Sequence, residues 1–259
     1  DTPRARRLKK RVLIPLALLL PAIGLGWAER RAIVRHYVDE ELARRGVSAG
    51  YVISDIGPWT QRLEKLVIGN PAAPDLTADV AELHLAWGLS GPEVERIVAR
   101  GVRLRGRIAD GALRLGEVDK LLPPPSGEPF TLPDLAVELA DVRMRLDTQA
   151  GVIGLTIDGK GNLAKAFRGR LMAHAPRLAA GGCDAIGLLA PVDLRTDPAG
   201  IGISGPVQLG GLRCGETVTL GAIKGQAGLT LSSDLNRLRG DLSLNAGHGA
   251  LAGVDAKDW

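Results

Sequence analysis

Only eight of the 259 residues are aromatic: four Trp, two Tyr and two Phe. Catalytic cores usually lean on more aromatic area than this. The chain must build its apolar surface from Leu, Val, Ile and Ala. Cysteine is almost absent. Cys183 and Cys214 are too few for a four-ligand zinc site and are not spaced as C-x-x-C. No P-loop, G-x-S-x-G or H-x-E signature occurs. His36, His84, His174 and His248 are scattered, with no i,i+4 pair to hold a metal. The glycines of Gly200-Ile201-Gly202-Ile203-Ser204-Gly205 match G-x-G-x-x-G. They sit inside strand-like alternation with Pro206 next, whereas a dinucleotide site must open a helix. No basic stripe with interleaved aromatics follows the N-terminus, so a nucleic-acid surface is excluded. These absences predict a protein that is not an enzyme and has no catalytic residues, metal or cofactor.

What is present begins with one long apolar run, Val12 to Ala28, reading VLIPLALLLPAIGLGWA. Its 17 residues carry no charge. As a helix it reaches ~25 Å, a little short of the ~30 Å hydrocarbon core. Lys10 and Arg11 can snorkel at one end and Trp27 suits the interface at the other. A cleaved signal peptide is the competing reading, but Gly26-Trp27-Ala28 is a poor cleavage site with Arg30 and Arg31 just beyond it. A buried core helix would be broken by Pro15 and Pro21. Six basic residues precede the run: Arg4, Arg6, Arg7, Lys9, Lys10 and Arg11. Much of the basic excess behind the net charge of +4 lies there. By the positive-inside rule the N-terminus is cytoplasmic and everything after Ala28 lies on the far side of the membrane. In that oxidising compartment Cys183 and Cys214 are expected to form a disulfide, two unpaired buried thiols being the alternative.

The chain divides into a basic tail (1–11), an anchor (12–28), an amphipathic helix (29–46), a first β subdomain (47–122), a Pro-rich break (123–128) and a second β subdomain (129–259). In the helix, Ile33, Val34, Tyr37, Val38 and Leu42 share one face, and Gly46 is the stop. From Val47 onward the apolar period is two. Val102, Leu104 and Ile108 alternate with Arg103, Arg105 and Arg107. Asp110-Gly111 then predicts a hairpin into 112–116. Val118 to Leu122 reads as a short helical piece. Beyond the break, Ile153, Leu155 and Ile157 alternate, as do Ile201, Ile203, Val207 and Leu209. Further pairs follow: Val218 and Leu220, Leu229 and Leu231, Leu242 and Leu244. No amphipathic helix interrupts this half, so a parallel α/β sheet is not expected.

One stretch recurs. Pro74-Asp75-Leu76 opens a strand carrying Leu76, Ala78 and Val80, then Leu83, Leu85 and Trp87. Pro133-Asp134-Leu135 opens another 59 residues on, carrying Leu135, Val137 and Leu139, then Val142, Met144 and Leu146. Both slip by one residue, at Ala81-Glu82 and at Ala140-Asp141. Such a slip reverses the faces unless a bulge absorbs it. The fold class is therefore mainly β: a transmembrane helix and a short helix, then an elongated, curved antiparallel sheet. One face is apolar and the other rich in Arg, Asp and Glu. A second sheet could cover the apolar face, or the sheet could curl into a lipid-holding groove. In the latter case Leu83, Leu85, Trp87, Leu135, Val137, Leu139, Val142, Met144, Leu146, Ile153, Leu155 and Ile157 line it. The rows Arg103/Arg105/Arg107 and Arg143/Arg145 could meet anionic headgroups, although keeping an exposed face soluble is the simpler role.

Three stretches carry a family resemblance: RHYVDEELARRGV, GVRLRGRIADGALRLGEVDKLLPPPSG and DVRMRLDTQAGVIGLTIDGKGNL. With the basic tail and the single span, they resemble the AsmA-like proteins of Gram-negative envelopes, and within them the YdbH branch. The resemblance implies an inner-membrane anchor, a periplasmic repeating β-groove and phospholipid movement between the inner and outer membranes. It also implies a much longer full-length chain, in keeping with a sequence that lacks an initial Met. Membrane phospholipids, the inner membrane and an outer-membrane or periplasmic partner are then the expected partners. A dozen strands at ~4.8 Å span only ~60 Å, too little to bridge the envelope alone. An anchored assembly factor with a closed β core is the alternative function.

Overall fold

The computed structural model describes residues 30–57, 59–88, 91–109, 112–121, 132–234, 237–251 and 254–257. The basic tail, the expected anchor Val12–Ala28 and the Pro-rich break lie outside the described residues. Among the described residues no helix is long and apolar enough to cross a membrane.

The described chain opens on helix α1 (Arg30–Arg44). Gly46 ends it by taking a positive φ of 63°. The Gly46 amide donates to the Ala43 carbonyl (3.0 Å) and the Val47 amide to the Leu42 carbonyl (2.9 Å). This is the two-bond cap that a glycine after the last turn allows, with buried Val47 as its apolar partner. The chain then reverses. In β1 (Ala49–Ile56), the Tyr51 hydroxyl donates to Asp39 Oδ1 at 2.7 Å. Burial, reinforced by the Asp39 carboxylate, pushes the Tyr51 phenol above its ordinary pKa.

From here period-two alternation gives strands throughout. They are β2 (Thr60–Ile68), β3 (Leu76–Gly88), β4 (Gly91–Arg100), β5 (Arg103–Ala109) and β6 (Ala112–Arg114), followed by a 3-10 turn (Gly116–Leu121). Next come β7 (Ala136–Thr148), β8 (Gly151–Asn162), β9 (Arg168–Ala180), β10 (Cys183–Asp197), β11 (Gly200–Leu209) and β12 (Gly211–Cys214). The last are β13 (Val218–Leu220), β14 (Ile223–Ser232), β15 (Leu238–Ala246), β16 (His248–Leu251) and β17 (Val254–Lys257). Among the described residues all 17 strands join one sheet. The hairpin expected at Asp110-Gly111 is present as the β5–β6 pairing, with Ala109 opposite Ala112.

The sheet is mixed and not, as the alternation suggested, purely antiparallel. β4 and β5 lie end to end along β7, and both pair with it in parallel. The chain reaches β7 only after β6, the 3-10 turn and the segment containing the Pro-rich break. That long path is a crossover, which brings the chain back in the same direction. Periodicity within a strand carries no information on the direction of its neighbour.

The expected slip at Ala140-Asp141 is a bulge. Leu139 pairs with Gly159 and Val142 with Ile157, so two residues of β7 oppose one of β8. Asp141 takes a φ of 52° there, and its amide donates to Asp158 Oδ1 at 2.7 Å. The bulge restores the face, so Val137, Leu139, Val142, Met144 and Leu146 share one side. Gly101, at the β4–β5 junction, matches this place with a φ of 63°, and its amide donates to the Ala140 carbonyl at 3.0 Å. At Ala81-Glu82 β3 keeps its register against both β2 and β4. A separate register shift lies between His84 and Leu85, where Glu95 is the extra residue and sits on β4. Leu83, Leu85 and Trp87 thus alternate without interruption along β3.

A side chain at Gly101 would be strained by its positive φ and would overlap the Asp79 carboxylate. Gly101→Ala is therefore expected to cost at least ~1–2 kcal/mol, read as a lower urea midpoint. An unchanged midpoint would show that the bulge is not constrained.

Candidate functional site

Directly opposed residues of paired strands share a face, so the registers trace rows across the sheet. One row runs Ile53, Leu63, Ala81, Ala99, Leu139, Gly159 and Gly169. It continues through Leu194, Ile203, Leu229 and Gly240. Every member is apolar or glycine. The row crosses eleven strand positions, roughly 50 Å at ~4.8 Å per strand.

Neighbouring rows repeat the pattern. Leu76, Leu104, Met144, Leu155, Ala173 and Ala190 oppose one another in turn. Ile157 opposes Val142 and Leu171, and Leu171 opposes Val192. Leu83 opposes Ile97, which lies beside Val137. The structure thus gathers Leu83, Val137, Leu139, Val142, Met144, Leu146, Ile153, Leu155 and Ile157 on one face. Leu85 and Trp87 continue it along β3. Leu135 lies just before β7, where its carbonyl accepts from the Leu163 amide. The β9 and β10 members were missing from the expected set. Leu188, Ala190, Val192 and Leu194 do alternate, but the small and polar residues around them blur the signal.

The reverse face is polar. Its row runs Arg105, Arg145, Gly154, His174, Leu189, Gln208, Lys224 and Asn245. Arg103 and Arg143 both bind the Asp141 carboxylate, at 2.6 and 2.9 Å, and Arg145 binds Asp147 at 3.0 Å. The hydrogen bond from Arg103 holds the Asp141 carboxyl below its ordinary pKa, helped by the charges of Arg103 and Arg143. A cavity of about 740 Å³ lies among Arg103, Arg105, Arg143, Arg145 and His174. Leu104, Met144 and Leu155 of the apolar row line it as well.

Among the described residues the apolar face lacks the fully buried large side chains of a sandwich core. Among the described residues no large side chain is fully buried, and the buried apolar set contains only Val, Ile, Ala and Phe167. Met144, Leu155 and Leu171 are half-buried, screened mainly by their row neighbours. Phe167 is the exception, 5% exposed. Its ring lies over Gly159 and Gly169: an added Cβ would meet Phe167 Cζ at 2.5 Å and Cε1 at 2.9 Å. Two glycines in the apolar rows are thus seats for one ring. No three His, Cys, Asp or Glu side chains among the described residues converge as a metal site.

Cys183 and Cys214 oppose each other across β10 and β12 and are bonded in the structure, with S–S 2.06 Å. Alkylation of the unreduced, unfolded protein is expected to label neither cysteine, and both after reduction. Two labels before reduction would refute the bond.

These features define a class: a mainly β protein whose described strands form one long mixed sheet, with a largely apolar face backed by a charged one. The family of YdbH-like proteins, described as intermembrane phospholipid transport protein YdbH, matches residues 16–257. The chain belongs to this family. No curated protein matches it.

Proposed function

We propose that the chain carries phospholipids between the inner and outer membranes by sheltering their acyl chains on the apolar face, without covalent chemistry. It is held in the inner membrane by the run 12–28, with a cytoplasmic N-terminus and a periplasmic sheet. An outer-membrane or periplasmic partner completes the path. The observation that carries this reading is the half-exposed apolar row crossing eleven strands without a charge. Exposing an acyl chain to water costs ~0.8 kcal/mol per CH₂, or on the order of 12 kcal/mol for a ~16-carbon chain. A continuous apolar path removes most of that barrier while the headgroup stays in water. The family's described role agrees with this.

The test is mass spectrometry of lipids that copurify with the chain after detergent is exchanged for amphipol, with transfer of labelled phospholipid between vesicles alongside. Bound phospholipid and transfer above background are expected. A lipid-free protein that does not transfer would favour the anchored assembly factor with a closed core.

A further inference from the structure

Two of the few aromatic residues stand together at one end of the sheet. Trp59 and Trp87 meet edge to face, with centroids 6.2 Å apart and planes at 85°. Both rings are exposed, Trp59 at 59% and Trp87 at 39%. Folding alone gives no reason to leave that much aromatic area in water. Their position is specific. Trp87 ends the alternating row Leu83, Leu85, Trp87, so it stands on the apolar face. The Leu85 amide donates to the Trp59 carbonyl at 2.8 Å, which ties the second ring to the same corner. Val94, opposite Leu85, is exposed beside them.

The direction of α1 says which way this corner points. Its C-terminal end leads through Gly46 into the start of β1, and Tyr51 then reaches back to Asp39. Helix and strand are therefore antiparallel. The N-terminal end of α1 and the C-terminal end of β1, just before Trp59, point the same way. The uncharged run Val12–Ala28 ends immediately before α1. From Asp39, nine helical residues back to Arg30 rise ~14 Å, and from Tyr51 five strand residues on to Ile56 advance ~16 Å. The tryptophan corner thus extends toward the level at which α1 begins.

We propose that Trp59 and Trp87 seat this end of the apolar face in the headgroup region of the bilayer that holds the run 12–28, forming the mouth through which acyl chains enter. This rests on the transport reading and names the membrane-facing end of that path. An indole suits the site because its body prefers the acyl boundary while its N–H stays near water. A T-shaped pair at the rim also holds the first row of the face against the lipid surface.

The test uses the full chain in nanodiscs of phosphatidylethanolamine and phosphatidylglycerol. One variant, Trp27→Phe with Trp259→Phe, keeps only Trp59 and Trp87. A second, Trp59→Phe with Trp87→Phe and Trp259→Phe, keeps only Trp27. Phospholipids brominated at different acyl depths quench tryptophans that touch them. The Trp59/Trp87 emission is expected to be blue-shifted and to lose most intensity with bromines nearest the headgroup. Emission unchanged by any brominated lipid overturns the mouth. A blue shift without quenching, meaning that protein covers the pair, overturns it too. The Trp27 variant reads the anchor separately: Trp27 quenched while Trp59 and Trp87 are not leaves the anchor standing and the mouth refuted. The reverse pattern supports the mouth and refutes the anchor.

Discussion

Met144→Asp is expected to lower phospholipid transfer at least ~10-fold at neutral pH while leaving the fold intact. Met144 lies in the middle of the apolar face, opposed by Leu104 on one side and Leu155 on the other. Among the described residues, the rows around position 144 place no Lys or Arg on the face that carries the introduced carboxylate. An acyl chain passing over it must either desolvate the charge or retreat into water. A penalty of only ~1.4 kcal/mol is enough for a tenfold loss. Because the apolar surroundings raise the introduced group's pKa, transfer should recover as pH falls and the group becomes neutral. Leu85→Asp, nearer the tryptophan end, should behave alike. Arg143→Gln is the control. Arg143 projects from the opposite face, 58% exposed, and its pair with Asp141 is the kind that contributes little. Far-UV circular dichroism reports the fold, and a photo-crosslinking residue at position 144 or 143 reports lipid contact. Equal lipid capture at both positions, or a Met144→Asp protein that simply unfolds, would favour a dry structural core.

Phe167→Ala is expected to cost ~3–4 kcal/mol, the largest stability loss of any single truncation on this face. Its ring is nearly inaccessible and rests on two glycines that offer no side chain of their own. The Phe167 amide donates to Thr196 Oγ1 at 2.9 Å and its carbonyl accepts from the Thr196 amide at 3.0 Å, so the backbone cannot follow a smaller side chain inward. Removing the ring therefore opens a void over β8 and β9. Gly159→Val should be comparably damaging from the other direction, because its Cβ would collide with the ring and with the Gly169 Cα at 2.7 Å. Urea titrations of both variants check this. A Phe167→Ala protein within ~1 kcal/mol of the parent would mean that the ring only decorates the face.

Much of this was legible in the chain itself. The helix over 29–46 with its Gly46 stop, the β5–β6 hairpin and the restoring bulge at Ala140-Asp141 all follow from local rules. A turn, a cap or a period involves residues a few positions apart, and each leaves its mark in that window. The apolar face was legible where large residues alternate, as in Val142, Met144 and Leu146. It was not legible in β9, where Leu171, Ala173 and Ala175 are interleaved with Met172, His174 and Pro176. Nor could the role of Phe167 be read from its surroundings, since nothing local marks Gly159 and Gly169 as its seat. The register shift between β3 and β4 was not foreseen for the same kind of reason: Glu95, the extra residue, shows only in the pairing of the two strands.

The sequence by itself determined that this is a mainly β protein with one apolar and one charged face. Side-chain alternation alone decides that, because consecutive strand residues point to opposite sides. Only the tertiary structure decided that β4 and β5 run parallel to β7 and that the rows of eleven strands meet in register. It also brought Trp59 and Trp87 together at one end of the sheet. Those outcomes depend on hydrogen-bond pairing between segments tens of residues apart. A one-residue change in that pairing would have turned the same apolar residues to the other side.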